Sequence, residues 1–155
     1  DSEVGRGTRF DVYFPVAVDR GREEKLMEEQ VKRGPRTVLL VDDEPIIVEV
    51  GEQMLMSLGF RVLTAGSGRE ALEVYERLSD EIDLVVLDMI MPDMGGGETF
   101  DRLKRIDPGV RVLLSSGYSL DGEAKEILDR GCSGFIQKPF RLSDLSDVLD
   151  RLLGG

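Results

Sequence analysis

Polar side chains of a particular kind follow short apolar runs in this sequence. Asp42 and Asp43 come directly after residues 37–41, and Asp88 comes directly after residues 84–87. Ser115 and Ser116 follow residues 110–114, and Lys138 follows residues 134–137. If the runs are parallel strands, all these ends lie along one edge of a sheet, with neighbouring strands roughly 4.8 Å apart. Adjacent first, third and fourth strands would bring Asp42, Asp88 and the serines into one pocket. Lys138, one strand further, has a stem long enough to reach it. Three carboxylates this close repel, and at least one resists ionisation without compensation. A hard cation relieves the conflict, since Mg²⁺ takes oxygen ligands from one or two carboxylates and leaves places for a phosphoryl oxygen and water. A carboxylate nucleophile, a metal, a hydroxyl donor and an ammonium are the parts phosphoryl transfer needs, because its catalysis is mostly positioning and electrostatics.

Each feature alone has a plainer explanation. Asp43 could cap a helix, Asp88 could end a strand, Ser116 could bond the backbone, and Lys138 could be a surface charge before Pro139. All four kinds together, on the ends of the first, third, fourth and fifth runs, make coincidence a poor account.

The elements that must position them are legible as a repeat over residues 36–153. The apolar runs are residues 37–41, 61–65, 84–87, 110–114 and 134–137, each too short for a helix. Their continuous rather than alternating hydrophobicity predicts strands covered on both faces. Between them, Ile47, Val50, Met54 and Leu58 form one helical stripe. Ser67 with Glu70 predicts a capping box before a second helix bearing Ala71, Tyr75 and Leu78. Phe100 and Leu103 mark a third helix, Ala124, Ile127 and Leu128 a fourth, and Leu145, Val148, Leu149 and Leu152 a fifth. Gly59 and Gly131 stand just past two helix ends, where a left-handed backbone suits glycine. Five such βα units predict a doubly wound three-layer α/β fold with a parallel sheet. Ligands then belong at the carboxyl edge of that sheet.

Residues 1–35 read differently. Phe10, Val12, Phe14 and Val16 alternate as in one strand, and residues 19–33 are charged and helix-prone before the Gly34-Pro35 break. We expect a helical linker over residues 19–35. An unpaired strand over residues 8–18 invites weak self-association.

Composition narrows the function. The 155 residues carry 31 acidic against 20 basic side chains, a net charge of -11, which disfavours nucleic-acid contact and an anionic membrane surface. No apolar run approaches the length of a membrane span, and the start does not resemble a signal peptide. The lone Cys132 allows no internal disulfide and suits a cytoplasmic setting as a small packed side chain. The sequence contains no histidine.

Residues 37–153 resemble a two-component response-regulator receiver domain over its whole length. The resemblance runs through Val41-Asp42-Asp43-Glu44, Leu87-Asp88-Met89-Ile90-Met91-Pro92, Leu114-Ser115-Ser116-Gly117 and Lys138-Pro139-Phe140. It implies a flavodoxin-like (βα)5 fold with strand order 2-1-3-4-5. It further implies that Asp88 is phosphorylated and that Asp42, Asp43, Asp88 and the backbone carbonyl of Ile90 hold Mg²⁺. Ser116 stands at the switch hydroxyl position, Phe135 at the switch aromatic position, and Lys138 pairs with the phosphoryl group. The Lys138–Pro139 bond is often cis in the family. Ser115 competes for the hydroxyl role. Ser116 is preferred because it is expected beyond the strand end, and it keeps the donor of the commoner threonine. Ile90 and Tyr118, two positions after the phosphoacceptor and the switch hydroxyl, imply slow self-dephosphorylation.

Residues 2–15, Ser2-Glu3-Val4-Gly5-Arg6-Gly7-Thr8 and then Phe10 to Pro15, are similar to the closing segment of a histidine-kinase ATP-binding domain. This implies a remnant of that domain over residues 1–18 and a receiver over residues 36–155, taken from the carboxyl end of a hybrid sensor histidine kinase. The phosphodonor is then a histidine kinase dimerisation/phosphotransfer domain in cis or trans, with a histidine phosphotransfer protein as a further partner. The fragment is not expected to act as a kinase itself. With the sequence closing at Leu153-Gly154-Gly155, no DNA-binding output domain is expected after it. A haloacid-dehalogenase-like phosphatase also uses an aspartyl-phosphate and Mg²⁺, but that class places a second Asp where Ile90 stands.

Overall fold

The computed structural model describes residues 34–117, 120 and 122–154. The strand, linker and kinase-remnant expectations for residues 1–33, and Tyr118, lie outside the described residues. Five strands form one parallel sheet: β1 (Thr37–Val41), β2 (Arg61–Ala65), β3 (Leu84–Asp88), β4 (Val112–Ser116) and β5 (Gly134–Gln137), in the order β2-β1-β3-β4-β5. The helices are α1 (Pro45–Ser57), α2 (Gly68–Leu78), α3 (Gly96–Ile106), α4 (Gly122–Asp129) and α5 (Leu142–Leu153). The predicted doubly wound fold and strand order are those observed.

Strand alternation divides the core into two layers. Leu39, Val41, Val85, Leu87, Val112 and Leu114 point to one face, against Ala71, Val74 and Tyr75 of α2, Phe100 and Leu103 of α3, and Ala124 and Ile127 of α4. Val38, Leu40, Leu84, Val86 and Leu113 point to the other, against Leu55 of α1 and Leu145, Leu149 and Leu153 of α5. The central strands β1, β3 and β4 are buried throughout, whereas the edge strand β2 is half open. This is why residues 38–41, 84–87 and 112–114 of the central strands are unbroken Val and Leu. Each fully buried leucine, such as Leu39 or Leu113, stabilises the fold by about 1.5–3 kcal/mol over an exposed one.

Three expectations need correction. The stripe on α1 is rotated: Val50 is exposed, while Gly51 and Leu55 face the sheet. The cause is close packing, since a methyl on Gly51 would lie 2.9 Å from Leu40 Cδ2. A small residue therefore occupies the place where periodicity alone puts an apolar one.

The fourth strand begins at Val112 rather than residue 110. Asp107 holds the preceding turn, accepting Gly109 N–H on Oδ1 at 2.9 Å and Val110 N–H on its carbonyl at 3.0 Å. The strand therefore extends through Ser116 instead of stopping before the serines.

The Ser67–Glu70 box is half formed. Ser67 Oγ accepts Glu70 N–H at 3.1 Å, but Glu70 Oε2 accepts from Gly66 N–H at 2.8 Å. Gly59 and Gly131 adopt φ of 93° and 106°, as the helix-end reading required.

Candidate functional site

The carboxyl ends of β1, β3 and β5 bring together the side chains expected there. Asp42 follows β1 immediately, and its N–H extends the ladder to Ala65 O at 3.1 Å. Its Oδ1 accepts Glu44 N–H at 3.0 Å, which orients the carboxylate as the chain turns into Pro45 at the start of α1. Asp88 is the last residue of β3, one place later than expected for the strand end, and Met89 N–H bonds Ser115 O at 2.9 Å beyond it. Carboxylate oxygens of Asp42, Asp43 and Asp88 lie within 4.8 Å of one another. Asp42 and Asp88 are buried, and Asp43 sits at the half-exposed rim.

Lys138 completes the cluster. Its Nζ donates to Asp42 Oδ2 at 2.6 Å and to Asp88 Oδ1 at 3.0 Å. Burial pushes the Asp88 carboxyl up to about 6 from its ordinary 3.8; Lys138 and the Ile90 backbone oppose that rise, and Asp42 adds to it. Burial would lower the Lys138 ammonium, but its bonds to Asp42 and Asp88 outweigh this and hold it above 10.5. One ammonium is thus shared between two buried carboxylates, with a third beside them. That excess of hard oxygen donors is the chemistry a divalent cation such as Mg²⁺ fits.

Both serines are buried inside β4, so the preference for Ser116 cannot rest on its lying past the strand end. The strand face distinguishes them instead. Ser115 is in register with Asp88, whereas Ser116 shares its face with Leu114, whose register partner is Phe135. Phe135 is half-buried and packs on the core beneath that face. Lys138 N–H donates to Ser116 O at 2.7 Å, tying the ends of β4 and β5 together, and the Lys138–Pro139 bond is cis. The Ile90 side chain is exposed. Sequence reasoning passed over two contributors, the Glu44 amide that orients Asp42 and Gly96, which packs behind Asp88.

The response regulator receiver domain family matches residues 38–150. The chain belongs to that family. It is a phosphoacceptor receiver of the kind used in two-component phosphorelays. Along its length it is 36% identical to Sensor kinase CckA of Brucella abortus, over 99% of this chain and 17% of that protein, so it spans under a fifth of that relative. Among solved structures it is similar to the CheX-CheY-BeF3-Mg+2 complex from Borrelia burgdorferi, with 30% identity, a TM-score of 0.75, and coverage of 77% of this chain and 90% of that one. It is also similar to the receiver domain of sensor histidine kinase PA1611 from Pseudomonas aeruginosa, which has a magnesium ion coordinated in its active site cleft. That likeness has 27% identity, a TM-score of 0.71, and coverage of 79% of this chain and 100% of that one. Among the described residues of this receiver, no helix is long and apolar enough to cross a membrane.

Proposed function

We propose that this receiver accepts a phosphoryl group from a phosphohistidine onto Asp88. The observation that carries the assignment is the Lys138 ammonium bridging the buried carboxylates of Asp42 and Asp88 at a sheet edge. An Asp88 oxygen forms the new bond to phosphorus as the P–N bond breaks, and the histidine nitrogen keeps the electron pair. The product is an acyl phosphate. Asp42, Asp43, Asp88 and the backbone carbonyl of Ile90 would hold Mg²⁺, which neutralises charge on the phosphoryl oxygens when bound. Lys138 is positioned to exchange its carboxylate contacts for a phosphoryl oxygen, and the Ser116 hydroxyl donates to another. Ser116 turning toward Asp88 would leave room for Phe135 to turn inward, shifting the population of two conformations.

The parent protein is read as a hybrid sensor histidine kinase, with the donor histidine on its dimerisation/phosphotransfer domain or on a histidine phosphotransfer protein. The match to Sensor kinase CckA supports this, because it covers 99% of the chain whereas the family match begins at residue 38. It supports the reading of residues 1–18 as a kinase remnant in the same way. Incubation with a small phosphoryl donor tests the site: wild type should label with Mg²⁺ and fail in EDTA, and Asp88→Asn should not label. Full labelling of Asp88→Asn would remove Asp88 from its role.

A further inference from the structure

Three consecutive glycines, Gly95, Gly96 and Gly97, open α3 behind the phosphoacceptor. They are not equivalent. A methyl on Gly96 would lie 2.6 Å from the Asp88 carbonyl oxygen and 2.7 Å from Met89 Cα, both backbone atoms that cannot swing aside. A methyl on Gly97 would meet Ile127 Cδ1 at 3.4 Å, the end of a flexible side chain. On Gly95 the nearest atom would be Met89 O at 3.5 Å. Gly96 N–H also donates to Met89 O at 2.8 Å, so the loop from Met89 to Gly95 is closed at its base. The first turn of α3 is held from its other side too. The fully buried Thr99 donates through Oγ1 to Gly95 O at 2.8 Å, and a methyl on Gly68 at the start of α2 would lie 2.2 Å from that same Oγ1.

We infer that Gly96 is a positioning residue for phosphoryl acceptance: its missing side chain lets α3 rest on the backbone of Asp88 and Met89 and so sets where the Asp88 carboxylate stands. The inference rests on the assignment of Asp88 as phosphoacceptor. A methyl at Gly96 must separate α3 from β3, rotate the Asp88 peptide, or both, and the loop carrying Ile90 moves with it. Misplacing a reacting group by about 1 Å can cost about a hundredfold in rate. Gly97→Ala changes the same helix turn and meets only side chains.

The test compares wild type, Gly96→Ala and Gly97→Ala as full chains, phosphorylated by acetyl phosphate at saturating Mg²⁺. Gly96→Ala should lower the maximal rate at least tenfold, with little change in the donor concentration at half-maximal rate and with wild-type far-UV circular dichroism. Gly97→Ala should stay within about twofold of wild type. Equal rates for wild type and a folded Gly96→Ala overturn the inference while leaving Asp88 in place. No labelling of wild type removes the Asp88 assignment itself. Should Gly96→Ala not fold, the unaltered chain decides. The Gly96 amide resonance should move on adding beryllofluoride with Mg²⁺ more than the Gly97 amide does, and a stationary Gly96 amide overturns the inference.

Discussion

Lys138 Nζ lies 2.6 Å from Asp42 Oδ2, although 96 residues separate the two along the chain. The contact joins the carboxyl ends of β1 and β5 across the strands between them, and the same ammonium reaches Asp88. Removing a partner from a buried charge cluster leaves the remaining charges uncompensated, which costs more than the pair itself is worth.

Lys138→Met should therefore raise the Asp88 carboxyl above about 6, because the ammonium opposes the effect of burial there more than the Ile90 backbone does. Phosphoryl acceptance should slow, since the cation proposed to meet the phosphoryl oxygens is gone. Carbon-detected NMR titration of Asp88 in wild type and variant checks the first expectation, and an unmoved or lower Asp88 value would count against it.

The Asp88 environment also predicts a pH dependence of metal-free stability. Its folded value of about 6 stands above the ordinary 3.8, so the native state holds a proton that the unfolded chain has lost. This contribution is fully present below about pH 4 and disappears as pH rises through about 6, at up to about 1.4 kcal/mol per pH unit. The difference between wild type and Asp88→Asn isolates it. Urea unfolding in EDTA from pH 4.5 to 7.5 should show wild type losing stability relative to Asp88→Asn. A constant difference would contradict the account.

Much of this arrangement is legible in the sequence because strand ends are marked by a change from apolar to polar residues. Residues 37–41, 61–65 and 134–137 are strands at the expected bounds, and Asp42, Asp88 and Lys138 meet as their placement implied. What was not legible depends on shape. The Asp107 turn delays β4 by two residues although Val110 already opens the apolar pattern that Val112, Leu113 and Leu114 continue. Val50 fits the α1 stripe by spacing, yet the helix turns Gly51 inward because Leu40 fills the space beside it. The Gly95–Gly97 run was visible, but only the three-dimensional approach of Asp88 and Met89 distinguishes the middle glycine.

Away from the site, the buried Tyr75 hydroxyl donates to Asp107 Oδ2 at 2.7 Å, joining α2 to the end of α3. Burial, then the bond to Asp107, raises the Tyr75 hydroxyl well above its ordinary 10. Tyr75→Phe should lower stability by about 1.5–3 kcal/mol, the usual range for a hydrogen bond to a charged group. The neutral tyrosine's contribution is present below pH 10 and is lost as pH rises beyond it. Urea denaturation of the variant at pH 8 checks the size, and a loss under about 0.5 kcal/mol would show that the bond is not stabilising.

The two buried serines of β4 offer a clean comparison. Ser116→Ala should impair the response to phosphorylation by removing the donor on the Phe135 face, with the Phe135 ring resonances no longer moving when beryllofluoride is added. Ser115→Ala should preserve that movement, because Ser115 projects to the opposite face of the strand. Loss of the Phe135 response in Ser115→Ala but not in Ser116→Ala would reverse the assignment.

The most direct measurement is the chemical location of the phosphoryl group. Wild type is incubated with acetyl phosphate and Mg²⁺, the acyl phosphate is reduced with borohydride, and the modified residue is read by peptide mass spectrometry. The account predicts modification at Asp88, absent in EDTA and absent in Asp88→Asn. Modification at Asp42 or Asp43 with Asp88 intact would contradict it.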